Sequence, residues 1–228
     1  MRGILLSLIA ASAVLPAMGA ACRSPLNKRF ETPCATTLAD KGPVSIRRVG
    51  AKQRVTLVST SELDPGLGLI QGLEFGAVML FKYFTASPGG QSGSGVVLNR
   101  TAPLTIRKGA GGGWIVWMAA SPEQFPGGPG ELPAPAKYEE LQPIPLPPST
   151  GQSAAYFAVV NFTTPSLPQE ADWAAACALA TAPGALPQGF ALDGSAPFPD
   201  ATLALYEEAG HEGKWTSECW VGALPQAG

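Results

Sequence analysis

Four cysteines, Cys22, Cys34, Cys177 and Cys219, follow a short apolar run at the start of the chain, and this arrangement limits the fold more than any other feature. Arg2 opens that run with a positive charge, and Ile4 to Leu15 is apolar but too short to span a bilayer comfortably. Pro16 to Ala20 then supply a helix-breaking, small-residue cleavage region, so residues 1–20 read as a secretory signal peptide. An uncleaved anchor is the other reading. A lipoprotein anchor at Cys22 lacks the branched residue wanted three places earlier, where Gly19 stands. An even number of cysteines entering an oxidising compartment implies two disulfides. Three connectivities are open. Cys22–Cys34 with Cys177–Cys219 is favoured, because the first closes a short N-terminal loop and the second clips a helix to a final strand. A zinc site is the poorer reading: there is no C-x-x-C, and His211 is the single histidine. Two sequons, Asn99-Arg100-Thr101 and Asn161-Phe162-Thr163, are candidate glycosylation sites.

The 27 glycines and 23 prolines argue for many turns and short elements, and against a helical bundle. Hydrophobic residues at 46% against 14% charged allow a large core and exclude wholesale disorder. A length of 228 residues suits one domain. The net charge of −2, with no basic run, excludes a nucleic-acid partner. No later stretch is apolar for long enough to make a stable membrane span.

Residues 21–43 read as irregular, with Pro25, Pro33 and Pro43. Val44 to Val49 alternates as a short strand, Gly50 to Gln53 is a turn, and Arg54 to Thr60 is a second, β-branched strand. Strand-like pieces between Val96 and Arg107, the glycine turn Gly109–Gly113 and the strand Trp114–Met118 form a hairpin, its second strand buried on both faces. Residues 126–148 are proline-rich. They are read as a loop wrapping one domain rather than a linker, because apolar strand sequence resumes at Ala154. Residues 169–182 form an alanine-rich helix stopped by Pro183-Gly184, followed by late strands at Leu203–Tyr206 and Cys219–Val221. The order is that of an α+β domain with an antiparallel sheet.

The clearest helix spans 68–84. Leu69, Leu73, Ala77, Leu80, Phe81 and Phe84 recur at three- and four-residue spacing and predict a core-facing stripe. At about 100° per residue, Phe75 and Met79 point away from it, close to Lys82, with Gly72 and Gly76 beside them. Two readings stay open: a helix buried on two sides, or an apolar ligand cradle with one cation.

Several short segments occur in the order seen in the SOUL/haem-binding family. Val44-Ser45-Ile46-Arg47-Arg48 followed by Val55 to Thr60 resembles its "YEIRRY … WVST" strands, and Met79 to Phe84 its "LFKYI" helix end. Thr101 to Thr105 is similar to "MTAPV", Ser121 to Phe125 to "PSEYQ", and Glu218 to Val221 to "NEVWL". The chain departs from the pattern at Val49, at Arg100 and in Leu192–Pro197, which lacks a tyrosine. The resemblance covers residues 44–222, within a domain taken as 44–228, and the leader and N-terminal cysteines resemble the secreted plant and algal members. It implies a distorted antiparallel β-barrel of about eight strands packed by two long α-helices. It also implies non-enzymatic binding of haem or another tetrapyrrole, a ligand the fold does not require.

Under that resemblance, Phe75 and Met79 supply apolar contact to the ring and Lys82 pairs with a propionate. A packing role is preferred for Met79 over ligation of iron, and His211 reads as an exposed turn residue. The rival readings are a carrier of another apolar ligand such as a lipid, and a ligand-free structural or interaction protein on the same fold. No enzymatic reading competes. Ser92-Gly93-Ser94-Gly95 lacks a nucleophile-elbow context, and the pairs Glu139-Glu140 and Glu207-Glu208 read as surface charge.

Overall fold

A computed structural model of the chain describes residues 22, 32–49, 55–84, 101–120, 132, 141–146, 155–193, 201–206 and 214–226. Its elements are β1 (Ala35–Lys41), β2 (Val44–Val49), β3 (Val55–Thr60), α1 (Leu69–Phe84), β4 (Leu104–Lys108), β5 (Trp114–Ala119) and β6 (Leu141–Leu146), then β7 (Ala155–Thr164), α2 (Glu170–Thr181), β8 (Phe190–Leu192), β9 (Thr202–Tyr206) and β10 (Trp215–Pro225). All strands join one antiparallel sheet in the order β1-β2-β7-β10-β9-β4-β5-β3-β6, with β8 pairing β10 beside that path. The signal-peptide segment 1–20, the sequon at Asn99, the serines at 92 and 94, His211 and both acidic pairs lie outside the described residues.

The expectation of a barrel of about eight strands with two long helices is corrected in three respects. The sheet has ten strands, and among the described residues its path stays open from β1 to β6. The helices have 16 and 12 residues, about 24 and 18 Å long at 1.5 Å per residue. Both sheet ends resist further pairing. Pro143 and Pro145 remove N–H donors from β6, and prolines within sheets belong on edges. On β1, register shifts between Thr37 and Ala39 and nearly all side chains are exposed. These two strands lie inside the segments read as irregular and as a proline-rich loop. The strands β2 and β3, consecutive in the chain and resembling a strand pair of the SOUL/haem-binding family, do not pair with each other. β2 lies between β1 and β7, and β3 between β5 and β6. The β4–β5 hairpin forms as expected, with Lys108 opposite Trp114.

Most strands are buried on both faces, which is why their sequences read as apolar runs rather than clean alternation. One face carries the helices: Val116, Met118, Val160, Leu203 and Val221 pack beneath Leu73, Leu80 and Trp173. The other face gathers Leu57, Trp117, Phe157, Tyr206 and Trp220. Trp117 on β5 and Trp220 on β10 are separated by β4 and β9 in the sheet, yet their ring centroids lie 6.2 Å apart. Three strand spacings of a flat sheet, with side chains standing perpendicular, would hold them about 14 Å apart. The sheet is therefore curled around this aromatic cluster. The small residues between them, Ala204 and Thr105, leave room for the rings to meet.

The two disulfides have the favoured connectivity. Cys22–Cys34 closes the N-terminal loop, and Cys177–Cys219 ties α2 to the centre of β10 with Cα atoms 5.4 Å apart. The α2 helix opens with the Gln169 N–H donating to Asp172 Oδ2 at 2.9 Å, and buries Trp173, Ala176, Cys177 and Ala180 against the sheet.

Gly72 and Gly76 do not open α1 to a ligand. Both are buried, and they let the helix backbone sit directly on β5. A Cβ at Gly72 would lie 2.6 Å from Trp114 Cδ1, and one at Gly76 would overlap the Val116 side chain. Gly76→Ala should therefore destabilise the protein by about 1–3 kcal/mol through overpacking, despite a helix-propensity gain of about 1 kcal/mol. Urea denaturation checks this, and the double variant Gly76→Ala/Val116→Ala should recover part of the loss. A Gly76→Ala protein as stable as the parent would refute the close approach.

Candidate functional site

The helix geometry places Phe75, Met79 and Lys82 on one flank of α1, as the spacing predicts. That flank is largely exposed. Phe75 is 59% accessible and Val78 beside it 51%, Lys82 is exposed, and Met79 is half-buried and packs against the helix-face core. The core stripe splits. Leu69, Leu73, Leu80 and Phe84 are buried as expected, together with Tyr83, whereas Ala77 and Phe81 are only half-buried.

The reason is a cleft of about 130 Å³ along the opposite flank of α1. Leu73, Ala77 and Phe81 form its helix wall, one turn apart along the same side. Leu104, Met118 and Leu205 from β4, β5 and β9 make an apolar floor. Trp215 at the start of β10 and Leu167 before α2 form the far rim. Glu74 stands on the near rim as the one charged residue lining the cleft among the described residues. Thr101 also reaches it, with its hydroxyl donating to the Ala119 carbonyl. The small Ala77 side chain, flanked by Glu74 and Phe81, leaves this space open. Helix periodicity assigned Ala77 and Phe81 to the core, while nothing in the sequence marked Leu205, Trp215 or Leu167 as their neighbours. The cleft arises from the gap between α1 and the segment entering α2, and that gap is set by tertiary packing.

The size of the cleft bears on what it can hold. Pockets that engulf drug-sized ligands run to about 300–1,000 Å³, whereas an engineered apolar cavity of about 150 Å³ takes benzene. A space of this size seats one edge of a tetrapyrrole, not its plane. No cluster of three or more His, Cys, Asp or Glu side chains comes together among the described residues. No described helix is long and apolar enough to cross a membrane.

A second polar centre lies on the curled face. Glu218, at 0% exposure, pairs through Oε1 with Arg47 Nη1 at 2.7 Å, and its Oε2 accepts from Tyr206 OH at 2.9 Å and Trp220 Nε1 at 2.7 Å. Arg47 also reaches the exposed Asn161 Oδ1, at 3.5 Å. Among the described residues its partners are Arg47, Tyr206 and Trp220, and the network braces β2, β9 and β10. Burial, and then the adjacent Glu218 charge and hydrogen bond, push the Tyr206 hydroxyl well above the usual tyrosine pKa of 10.0. Burial alone pushes Tyr83 up to about 12.

These two tyrosines set an alkaline limit. The unfolded chain releases both protons near pH 10, while the folded protein holds that of Tyr83 to about 12 and that of Tyr206 well above the ordinary tyrosine value. The stability they contribute is complete below pH 10 and is lost as pH rises above it. The loss should reach about 1.4 kcal/mol per pH unit for each tyrosine. Urea midpoints measured from pH 8 to 12 should fall beyond pH 10, and Tyr83→Phe should shallow the fall. An unchanged midpoint to pH 11.5 would contradict the assignment. Compared with known proteins, the chain matches no family model and no curated protein.

Proposed function

We propose that the protein is a non-enzymatic binder of an apolar ligand, with the cleft along α1 as its seat. The observation that carries this reading is an apolar hollow between the longest helix and the sheet, kept open by Ala77 and rimmed by Trp215. The SOUL/haem-binding resemblance names haem or a related tetrapyrrole as the ligand class. In that case one ring edge enters the cleft, or the ring lies instead on the other flank of α1, against Phe75, Met79 and Lys82. The small volume favours a second reading within the same function, a carrier of a smaller apolar molecule such as a lipid chain. The two disulfides belong to an oxidising compartment. They support a secretory-pathway protein, and exposed Asn161 supports the second sequon as a glycan site.

Titration of purified protein with haemin tests the tetrapyrrole reading. A saturable Soret shift below tens of micromolar is expected, weakened more than tenfold in Lys82→Glu if the cation pairs with a propionate shielded from water. An exposed pair would contribute less than about 1 kcal/mol, and the change would be small. Absence of any saturable shift would remove the tetrapyrrole and leave the smaller ligand.

A further inference from the structure

The cleft has a chemistry more specific than its apolarity. Its walls are aliphatic and aromatic, and the volume of about 130 Å³ is that of a single ring or a short chain. The polar features at its mouth are few. Thr101 commits its proton to the Ala119 carbonyl. Among the described residues Glu74 alone brings charge to the lining, and it is negative. Phe81 lies two helical turns along the same flank, and Trp215 of β10 also lines the cleft, so its lining combines a carboxylate with two aromatic rings. A carboxylate beside aromatic faces attracts an organic cation through Coulomb and cation–π terms, and it repels an anion.

Resting on the binding function proposed above, we infer that the cleft takes a one-ring or short-chain amine, its apolar body against Ala77 and Leu205 and its ammonium group at Glu74. Lys82 stands two turns beyond Glu74 along the helix, about 12 Å by the helix rise, so the carboxylate sets the charge at the Glu74 end of the cleft.

The test compares three one-ring probes of similar size, 2-phenylethylammonium, 2-phenylethanol and 3-phenylpropionate, by calorimetry and by tryptophan emission at neutral pH. The expected order of affinity is ammonium, then alcohol, then carboxylate. Glu74 is exposed, so Glu74→Gln should lower the ammonium affinity only about two- to fivefold and leave the alcohol unchanged. Glu74→Lys should reverse the order of ammonium and carboxylate. Ala77→Phe fills the hollow and should abolish binding of all three. Its folding is checked by its urea midpoint, and Ala77→Val serves as a milder filling variant with weakened binding.

Carboxylate binding equal to or tighter than ammonium would overturn the charge assignment while leaving the binding function intact. Binding of haemin alone, unaffected by Ala77→Phe, would overturn the inference and move the ligand to the Lys82 flank. Failure of haemin and all three probes would overturn the binding function itself.

Discussion

Replacing Arg47 by Met should destabilise the protein by about 3–5 kcal/mol, measured as a lowered urea midpoint with an unchanged slope. The substitution keeps most of the apolar stem but removes the cation that pairs with Glu218 among the described residues. That carboxylate is wholly inaccessible, whereas Arg47 is 19% exposed in its side chain. The asymmetry decides which partner matters more. An arginine left without its partner keeps some contact with water, but a carboxylate left without its cation does not. Glu218→Gln should therefore cost less, about 1–3 kcal/mol, because the amide oxygen can still accept from Tyr206 or Trp220. The double variant should cost clearly less than the sum of the singles, since the pair is lost only once. A larger loss for Glu218→Gln than for Arg47→Met would overturn the assignment of the greater cost to the unpaired carboxylate.

The second large effect concerns the Cys177–Cys219 bridge. It closes a loop of 42 residues, for which the chain-entropy relation gives about 4 kcal/mol of stabilisation at 25 °C. The bridge also fixes α2 over β10, where Cys219 is fully buried beside Glu218 and Trp220. Replacing both cysteines by Ala should lower stability by about that amount. Removal of Cys22–Cys34, whose loop spans 12 residues, should cost about 3 kcal/mol by the same relation. Mass spectrometry after alkylation without reductant should find no modified thiol. Labelling of Cys177 or Cys219 in the native protein, or a double-alanine variant as stable as the parent, would sink the assignment.

Both experiments act on β10, which pairs with β7, β8 and β9. Its alternate residues face opposite sides of the sheet. Cys219 and Val221 meet α2 and the helix-face core, while Glu218 and Trp220 enter the curled aromatic cluster. The resemblance of Glu218–Val221 to a family closing strand was read from four letters, and their division between two faces follows from the period of two.

Local patterns settled much of this protein by themselves. The three- and four-residue spacing of Leu69, Leu73, Leu80 and Phe84 determined α1, because a helix repeats every 3.6 residues whatever surrounds it. The alanine run and Pro183-Gly184 bounded α2 in the same way, and the glycine turn before Trp114 made the β4–β5 hairpin. The cysteine count and spacing favoured one pairing of three, and the fold decided it by bringing α2 over β10. Phe75, Met79 and Lys82 share a flank for the same geometric reason.

Only the tertiary structure decided the rest. Ala35–Lys41 has no apolar alternation, and it is a strand because β2 offers an edge to pair with. Leu141–Leu146 carries two prolines that argue against a strand, and the sheet's outer edge tolerates their missing donors. Gly72 and Gly76 were legible as small residues, but what they admit is β5 of the same chain. The cleft depends on how far α1 stands from Leu167 and Trp215, residues distant from it in sequence. Periodicity reports which way a side chain points relative to its own element, whereas a cavity is a gap between elements, and only their packing fixes it.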